Sequence, residues 1–450
     1  MTPISDILER FKQIAVEETE DAVILEGRPL RPEEREDLEE YLGKTVHQRV
    51  VETSAYGRKK RTQEPMAAEE NSAKALVSGL LSEALHLNAS DIHLEPYRGV
   101  LRVRFRVHGS LYIHSTVPAH LATEVITRIK IISGMDIGER RKPQDGRFPF
   151  DEGTSCDVRV SSIPTPEGEN LVLRLLDQGK MEYSHRAIGL TGQQEEDVEL
   201  LLRQPQGLIL LCGPTGSGKT TTLYTFLQNL NTVERNIITI EDPIEYRIEG
   251  ISQMQVNRKA GITFESALES MLRQDPEVLM IGEIRSRETA ETALRAAITG
   301  HLVFSTLHTN SSPAALIRLL DMGVEGYMLS AGIIGIISQR LLRVLCPHCK
   351  EGTLLSDEPF DFHGEEGYRA HEAGCPHCHQ GYVGRRAVFE VLTMSGALKR
   401  ALRGPEDLGL FNEAAKESGF VRLKDQVREM ILKGETTLEE GYRALTTLGE

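Results

Sequence analysis

Residues 207–230, GLILLCGPTGSGKTTTLYTFLQNL, constrain this chain more than any other stretch. An apolar run over 207–212 reads as a buried strand, and a helical pattern begins at Lys219. Between them Gly213, Pro214, Thr215, Gly216, Ser217, Gly218, Lys219 and Thr220 match G-x4-G-K-[ST]. The chemistry needs those residues in that order. Glycines permit a tight turn whose backbone N–H groups point inward at phosphates, and the helix N-terminus adds its positive dipole end. Lys219 reaches the β/γ-phosphates and Thr220 holds Mg²⁺. The spacing predicts an α/β fold with a nucleoside triphosphate at a strand-to-helix turn.

Such a site needs acidic partners, and the downstream sequence supplies them. EVLMIGEIR has an apolar strand at 278–281 followed by Gly282 and Glu283, where Glu283 positions the attacking water or holds Mg²⁺ through water. IITIEDPIEY is a second apolar strand that breaks into Glu241, Asp242, Pro243 and Glu245. Carboxylates just past a strand's C-terminal end lie where α/β folds bind ligands. TGHLVFSTLHTNSS ends a third strand on His308, placed to donate to a γ-phosphate and so to sense hydrolysis.

Cysteine usage points to a metal. Cys346, Cys349, Cys375 and Cys378 form two C-x2-C pairs, each reading Cys-Pro-His-Cys. Four thiolates close tetrahedrally round Zn²⁺ and leave no open position for catalysis, so the centre is expected to be structural. His348 and His377 are alternative ligands. Cys212 reads as a small core residue.

The chain has 450 residues, long enough for two to four domains. Its 52 Lys+Arg against 67 Asp+Glu leave a net charge of −15, with 5% aromatic residues and no Trp. That balance argues against a protein that coats nucleic acid, because few stacking platforms are available. No run approaches ~20 consecutive apolar residues, and the N-terminus lacks a basic-then-apolar leader, so a cytosolic chain is expected. The first 70 residues read as a short helical region, with PEEREDLEEYLG its clearest helix, and the polar 56–71 as a linker. From 71 to 180 helix and strand patterns alternate. VLRVRFRV places arginines on one face and Leu101, Val103, Phe105 and Val107 on the other. KPQDGRFPFDEG reads as a Gly/Pro-rich crossing before two further strands. The domains expected are 1–70, 71–180, an ATPase core at 181–340, a cysteine module at 341–385 and a helical subdomain at 386–450.

Together GPTGSGKTTTLY, ITIEDPIEY, RQDPEVLMIGEIR and TGHLVFSTLHTN resemble the Walker A, Asp box, Walker B and His box of the type II/type IV secretion ATPase superfamily. The upstream segments ASDIHLEPYRG, ERRKPQDGRF and CDVRVSSIPTPEGENLVLRLLD resemble the second N-terminal domain of its assembly branch, which drives type II secretion, type IV pilus extension and DNA uptake. The cysteine quartet resembles the same branch, whereas pilus-retraction ATPases lack it. The resemblance implies a RecA-like motor lobe preceded by a smaller, PAS-like α/β lobe, hydrolysing ATP as a homohexameric ring. It carries phosphate-approaching arginines onto Arg147, Arg159 and Arg174, a role that suits guanidinium chemistry. It also implies a cytoplasmic motor docked on an inner-membrane platform protein, peripheral at the inner face of the cytoplasmic membrane, with no nucleic acid. His108 stands where the family's strand turn usually reads Asp-Gly, and the first 70 residues are short for this branch. The competing expectation, a hexameric nucleic-acid translocase, shares the RecA-like ring and the four-cysteine module. Which of Glu241 and Glu245 lies closer to the metal stays open.

Overall fold

The computed structural model describes residues 13–18, 22–27, 45–50, 73–151, 155–177, 184–190, 192–357, 359–402, 404, 408–417 and 419–445. In the first seventy residues these are strands, β1 (Gln13–Glu18), β2 (Ala22–Gly27) and β3 (Thr45–Val50), where a helical region was expected. The helix expected at 32–43 and the linker expected at 56–71 lie outside the described residues.

The next lobe comprises α1 (Ala73–His86), β4 (Ala89–Tyr97), β5 (Val100–Val107), β6 (Ser110–Pro118), α2 (Ala119–Ile132), β7 (Gln144–Asp151), β8 (Ser155–Thr165) and β9 (Gly168–Asp177). Its six strands form one sheet in the order β6-β5-β4-β9-β8-β7. The alternation in β5 determines its pose. Leu101, Val103, Phe105 and Val107 are buried against Val77 and Leu81 of α1 and Val125 and Ile129 of α2, and the arginines face away. The segment read as a crossing is in fact strand β7. Pro149 cannot donate to a ladder, and β7 tolerates it because it is an edge strand.

The motor lobe continues through α3 (Gln193–Leu202), β10 (Gly207–Cys212), α4 (Lys219–Leu230), β11 (Ile237–Glu241), β12 (Ser252–Gln255), α5 (Phe264–Met271), β13 (Val278–Ile281), α6 (Arg287–Ile298), β14 (Leu302–Leu307), α7 (Ser312–Asp321), α8 (Gly326–Gly332) and β15 (Ile333–Leu345). Then come β16 (Glu351–Asp357), β17 (Phe362–Arg369), β18 (Tyr382–Thr393), α9 (Gly396–Ala401), α10 (Leu408–Lys416), α11 (Leu423–Leu432) and α12 (Leu438–Leu445). Seven strands make a sheet ordered β12-β11-β13-β14-β10-β15-β18, parallel except for the last pair. Every residue of β10, β11, β13 and β14 is buried, as expected for strands covered on both faces. Leu208, Leu210 and Cys212 face α5–α8, while Ile209 and Leu211 face α3 and α4.

Two expected boundaries fall inside this sheet. β15 runs past residue 340 and pairs with β18 from Gly335–Thr393 to Leu345–Tyr382. The cysteine module is therefore an insertion within a β15–β18 hairpin, and residues 386–393 belong to the motor sheet instead of the helical tail. The tail begins with α9.

Candidate nucleotide site and metal centre

Because β10, β11, β13 and β14 run parallel and side by side, their C-terminal ends open on one edge of the sheet. The phosphate loop leaves β10, Glu241 ends β11, Glu283 follows β13, and His308 follows β14. Four motifs that run from Gly213 to His308 in the sequence are thereby gathered at one edge.

The loop has the geometry of a phosphate cradle. Gly213 and Gly218 take φ values of 148° and 92°. A Cβ at Gly213 would lie 2.6 Å from the Gln339 carbonyl oxygen, and one at Gly218 would lie 2.8 Å from Gln339 Nε2. Both positions therefore exclude side chains on steric and conformational grounds. Lys219 is buried, and its Nζ donates to the carbonyl oxygens of Gly213 at 2.6 Å and Pro214 at 3.1 Å. Burial lowers its pKa to about 8. Ser217 Oγ is buried without a hydrogen-bond partner. A buried cation held by main-chain oxygens and an orphaned hydroxyl, at the N-terminus of α4, together fit a polyphosphate. Thr220, exposed at the start of α4, is the hydroxyl available to a Mg²⁺ ion beside it.

The acidic residues divide into two groups. Glu283 is only 13% exposed, pairs with Arg285 at 2.6 Å and lies 3.8 Å from His308 Nε2. Burial first, and then the Lys219 charge, hold His308 below the usual imidazole range, so its ring is neutral at pH 7. A neutral ring beside a carboxylate suits a water-orienting pair. Glu241 is different. Its carboxylate is buried and accepts from the Tyr224 hydroxyl, from Thr239 Oγ1 at 2.6 Å and from Gln253 Nε2 at 3.1 Å. Those bonds turn it into the fold. Asp242 is exposed just beyond, and the Glu245 N–H donates to Tyr224 Oη at 3.3 Å.

The three arginines form one cross-strand row. Arg147 on β7 stands opposite Arg159 on β8, and Arg159 stands opposite Arg174 on β9. Like charges directly opposed on a sheet are destabilising, so such a row suggests an anion. Two of them have resting partners. Arg159 donates from Nη1 to Glu245 Oε2 at 3.1 Å and from Nη2 to the Ile244 carbonyl, which ties this lobe to the motor. Arg174 pairs with Asp91 at 3.1 Å, and Arg147 is exposed.

The four cysteines converge. Their sulfurs all lie within 4.8 Å of one another, with Cys346–Cys375 at 3.7 Å and Cys349–Cys378 at 3.6 Å. A tetrahedron with Zn–S near 2.3 Å has edges of roughly 3.8 Å. The Cys375 N–H also donates to Cys378 Sγ at 3.1 Å. The donors thus fit Zn²⁺ without His348 or His377, whose rings lie tilted against each other with centroids 4.6 Å apart. Cys212 is fully buried, and burial pushes its thiol up to about 12, consistent with a core role.

Comparisons with known proteins identify the family. Residues 66–443 match the family described as "Type II/IV secretion system protein". The chain belongs to that family. It is 43% identical over 379 residues to the putative type II secretion system protein E of Escherichia coli, covering 82% of this chain and 76% of that protein. To the type IV pilus assembly ATPase PilB of Pseudomonas aeruginosa it is 44% identical over 396 residues, 85% of this chain and 70% of the relative. Among solved structures, the pilus retraction motor PilT with bound ADP aligns with a TM-score of 0.56 at 27% identity, covering 82% of this chain and 96% of that one. The ATPase DotB of Legionella pneumophila aligns at 0.64 with 19% identity, over 86% of this chain and 98% of its own, and shares the fold. The α/β motor with its preceding lobe, expected from the sequence, is the fold of this group.

Gln339 and Arg340 escaped the sequence reading, although they line the loop. Gln339 Oε1 accepts from Thr222 Oγ1 at 2.8 Å beneath the cradle. Their signal was present: a Gln-Arg pair in the middle of the apolar strand IIGIISQRLLRVL is anomalous unless both side chains have partners.

Proposed function

We propose that this chain is the ATP-hydrolysing motor of a type II secretion or type IV pilus assembly system, working as a homohexameric ring. It is cytoplasmic and docks peripherally on an inner-membrane platform protein. The observation that carries this is the convergence of the phosphate loop, Glu283 and His308 at one sheet edge, in a chain similar over its motor and cysteine segments to assembly ATPases. The net charge of −15 and scarcity of aromatic side chains support a motor indifferent to nucleic acid.

In this reading the loop amides and Lys219 bind the β/γ-phosphates of ATP. Mg²⁺ at Thr220 supplies charge neutralisation for phosphoryl transfer. Glu283 orients the attacking water, and neutral His308 donates to the γ-phosphate and registers its loss. Glu241 acts by holding Tyr224 and the turn that presents Asp242 and Glu245. Arg147, Arg159 and Arg174 close over the phosphates when the lobes approach, and Zn²⁺ at the four cysteines is structural.

Steady-state ATP hydrolysis by the purified ring, with and without single- and double-stranded DNA, tests the reading. Slow turnover unaffected by DNA is expected, and strong stimulation by DNA would transfer the assignment to a translocase. Glu283→Gln should bind ATP normally and lose about 100-fold or more in kcat, as expected when a group aligning the nucleophile is removed. Unchanged turnover in that variant would remove Glu283 from the mechanism.

A further inference from the structure

The strand pair β15–β18 carries two charged residues at 2% and 3% exposure, Arg340 and Glu390. Buried charges are costly, and well-packed apolar residues commonly serve stability better. The bonds these two make account for their presence. Arg340 donates from Nη2 to the Asn310 carbonyl oxygen at 2.7 Å, from Nε to that of Ala444 at 3.1 Å, and from Nη1 to that of Gln339 at 3.0 Å. Glu390 accepts from the Ser312 N–H at 2.7 Å through Oε1 and from the Leu423 N–H at 3.2 Å through Oε2. Ser312 and Leu423 are the first residues of α7 and α11, so both amides lack intrahelical acceptors.

The pattern is symmetrical. Each residue holds one end of the short stretch 310–312 and one helix of the C-terminal tail, α12 for Arg340 and α11 for Glu390. That stretch begins two residues after His308. A further contact, 2.9 Å between the hydroxyls of Ser312 and Ser338, joins it to the strand that carries Gln339 beneath the phosphate loop. The nucleotide edge and the helical tail are thus linked by directional bonds through a close-packed interior, where small shifts are transmitted instead of absorbed.

We propose that Arg340 and Glu390 are positioning residues that couple the loop following His308 to helices α11 and α12, making the helical tail an output of nucleotide state. The proposal rests on the ATPase reading above. When the γ-phosphate is lost and the His308 loop relaxes, Asn310 and Ser312 move, and both tail helices move with them.

Hydrogen exchange of the full-length ring, with no nucleotide, with ADP and with Mg²⁺ and a non-hydrolysable ATP analogue, tests this. In the parent protein the analogue should slow exchange at 213–220 and at 423–445. Arg340→Lys and Glu390→Gln nearly conserve volume. Each should keep analogue protection at 213–220 yet lose protection at 423–445 and about tenfold in kcat, and Glu390→Gln, whose side chain does not line the phosphate loop, should also keep nucleotide Kd within about threefold of the parent. Should Arg340→Lys not fold, Glu390→Gln carries the same comparison. Protection at 423–445 that persists in the variants overturns the coupling, as does its absence in a parent protected at 213–220. Loss of protection at both segments together marks a purely structural role and also overturns it. A parent unprotected at 213–220 removes the ATPase reading itself, and the coupling with it.

Discussion

Lys219 brings a positive charge into a loop that gives it only main-chain oxygens, and burial there holds its pKa at about 8. Phosphates favour the charged form, so nucleotide binding should raise that pKa and take up a proton. The sign follows directly. Below about pH 7 the lysine is already charged and ATP affinity is flat. Between pH 7 and 9 the free protein increasingly holds a neutral lysine, and Kd should rise by up to about tenfold. Titration calorimetry at pH 8 in two buffers of different ionisation enthalpy should report net proton uptake. A flat Kd from pH 7 to 9, or proton release, contradicts the assignment. At this scale the sequence was most legible where covalent spacing alone determines placement. The glycines, Lys219, Glu283 and His308 stand where their spacing requires. It was least legible where a side chain's partner comes from elsewhere in the chain. Glu241 reads as a free carboxylate at a strand end, and only Tyr224 and Gln253, brought in by α4 and β12, turn it inward.

Elements were legible in proportion to their periodicity. β5 alternates without interruption, β10 is an apolar run, and β14 opens on the apolar Leu302, Val303 and Phe304, so each is expected where it lies. β7 carries Gly146 and Pro149, which break any period; its strand state comes from pairing with β8 at the sheet edge. β18 is split in the sequence between the cysteine module and the helical tail, because its long-range partner β15 lies beyond the cysteine insertion. That insertion carries the prediction at this scale. Cys346 follows β15 directly and Cys378 precedes β18, so a Zn²⁺ ion would tie the two ends of the excursion together, while Phe360 and Phe362 lie against Val427 and Met430 of α11. Replacing Cys346 and Cys349 together by Ser should abolish about one equivalent of zinc per chain, measured by metal analysis. It should also lower Tm by about 5 °C or more. ATP turnover per folded chain should stay within about twofold, because a closed four-thiolate centre has no catalytic position. A zinc-free variant of unchanged Tm that no longer hydrolyses ATP would give the module a chemical role.

At the scale of the whole molecule the question is how two lobes with separate cores exchange force. Their contact at Arg159 is instructive because the same guanidinium is assigned to two acceptors. In the structure it is held by Glu245 and the Ile244 carbonyl at the turn beyond β11. In the proposed closed state it faces phosphate. Glu245 is then a competitor that keeps the lobes in a resting arrangement, and its removal should release the arginine for the nucleotide. With side-chain exposures of 28% and 31%, the pair is partly solvated, so about 0.5–1 kcal/mol is a reasonable value for it. Glu245→Ala should therefore tighten ATP binding by about two- to fivefold with kcat little changed. Arg159→Ala should weaken binding, and the double variant should resemble Arg159→Ala, since Glu245 then has nothing left to restrain. The opposite outcome is equally readable. If Glu245→Ala abolishes turnover and weakens Mg²⁺-dependent binding, this carboxylate belongs to the acidic shell of the metal, and the resting arrangement must be held elsewhere in the interface. Titrating ATP against the four proteins under one set of conditions separates the two, because competition predicts a gain in Glu245→Ala that vanishes in the double variant, a coupling of about 0.5–1 kcal/mol, and metal ligation predicts loss in every variant lacking Glu245.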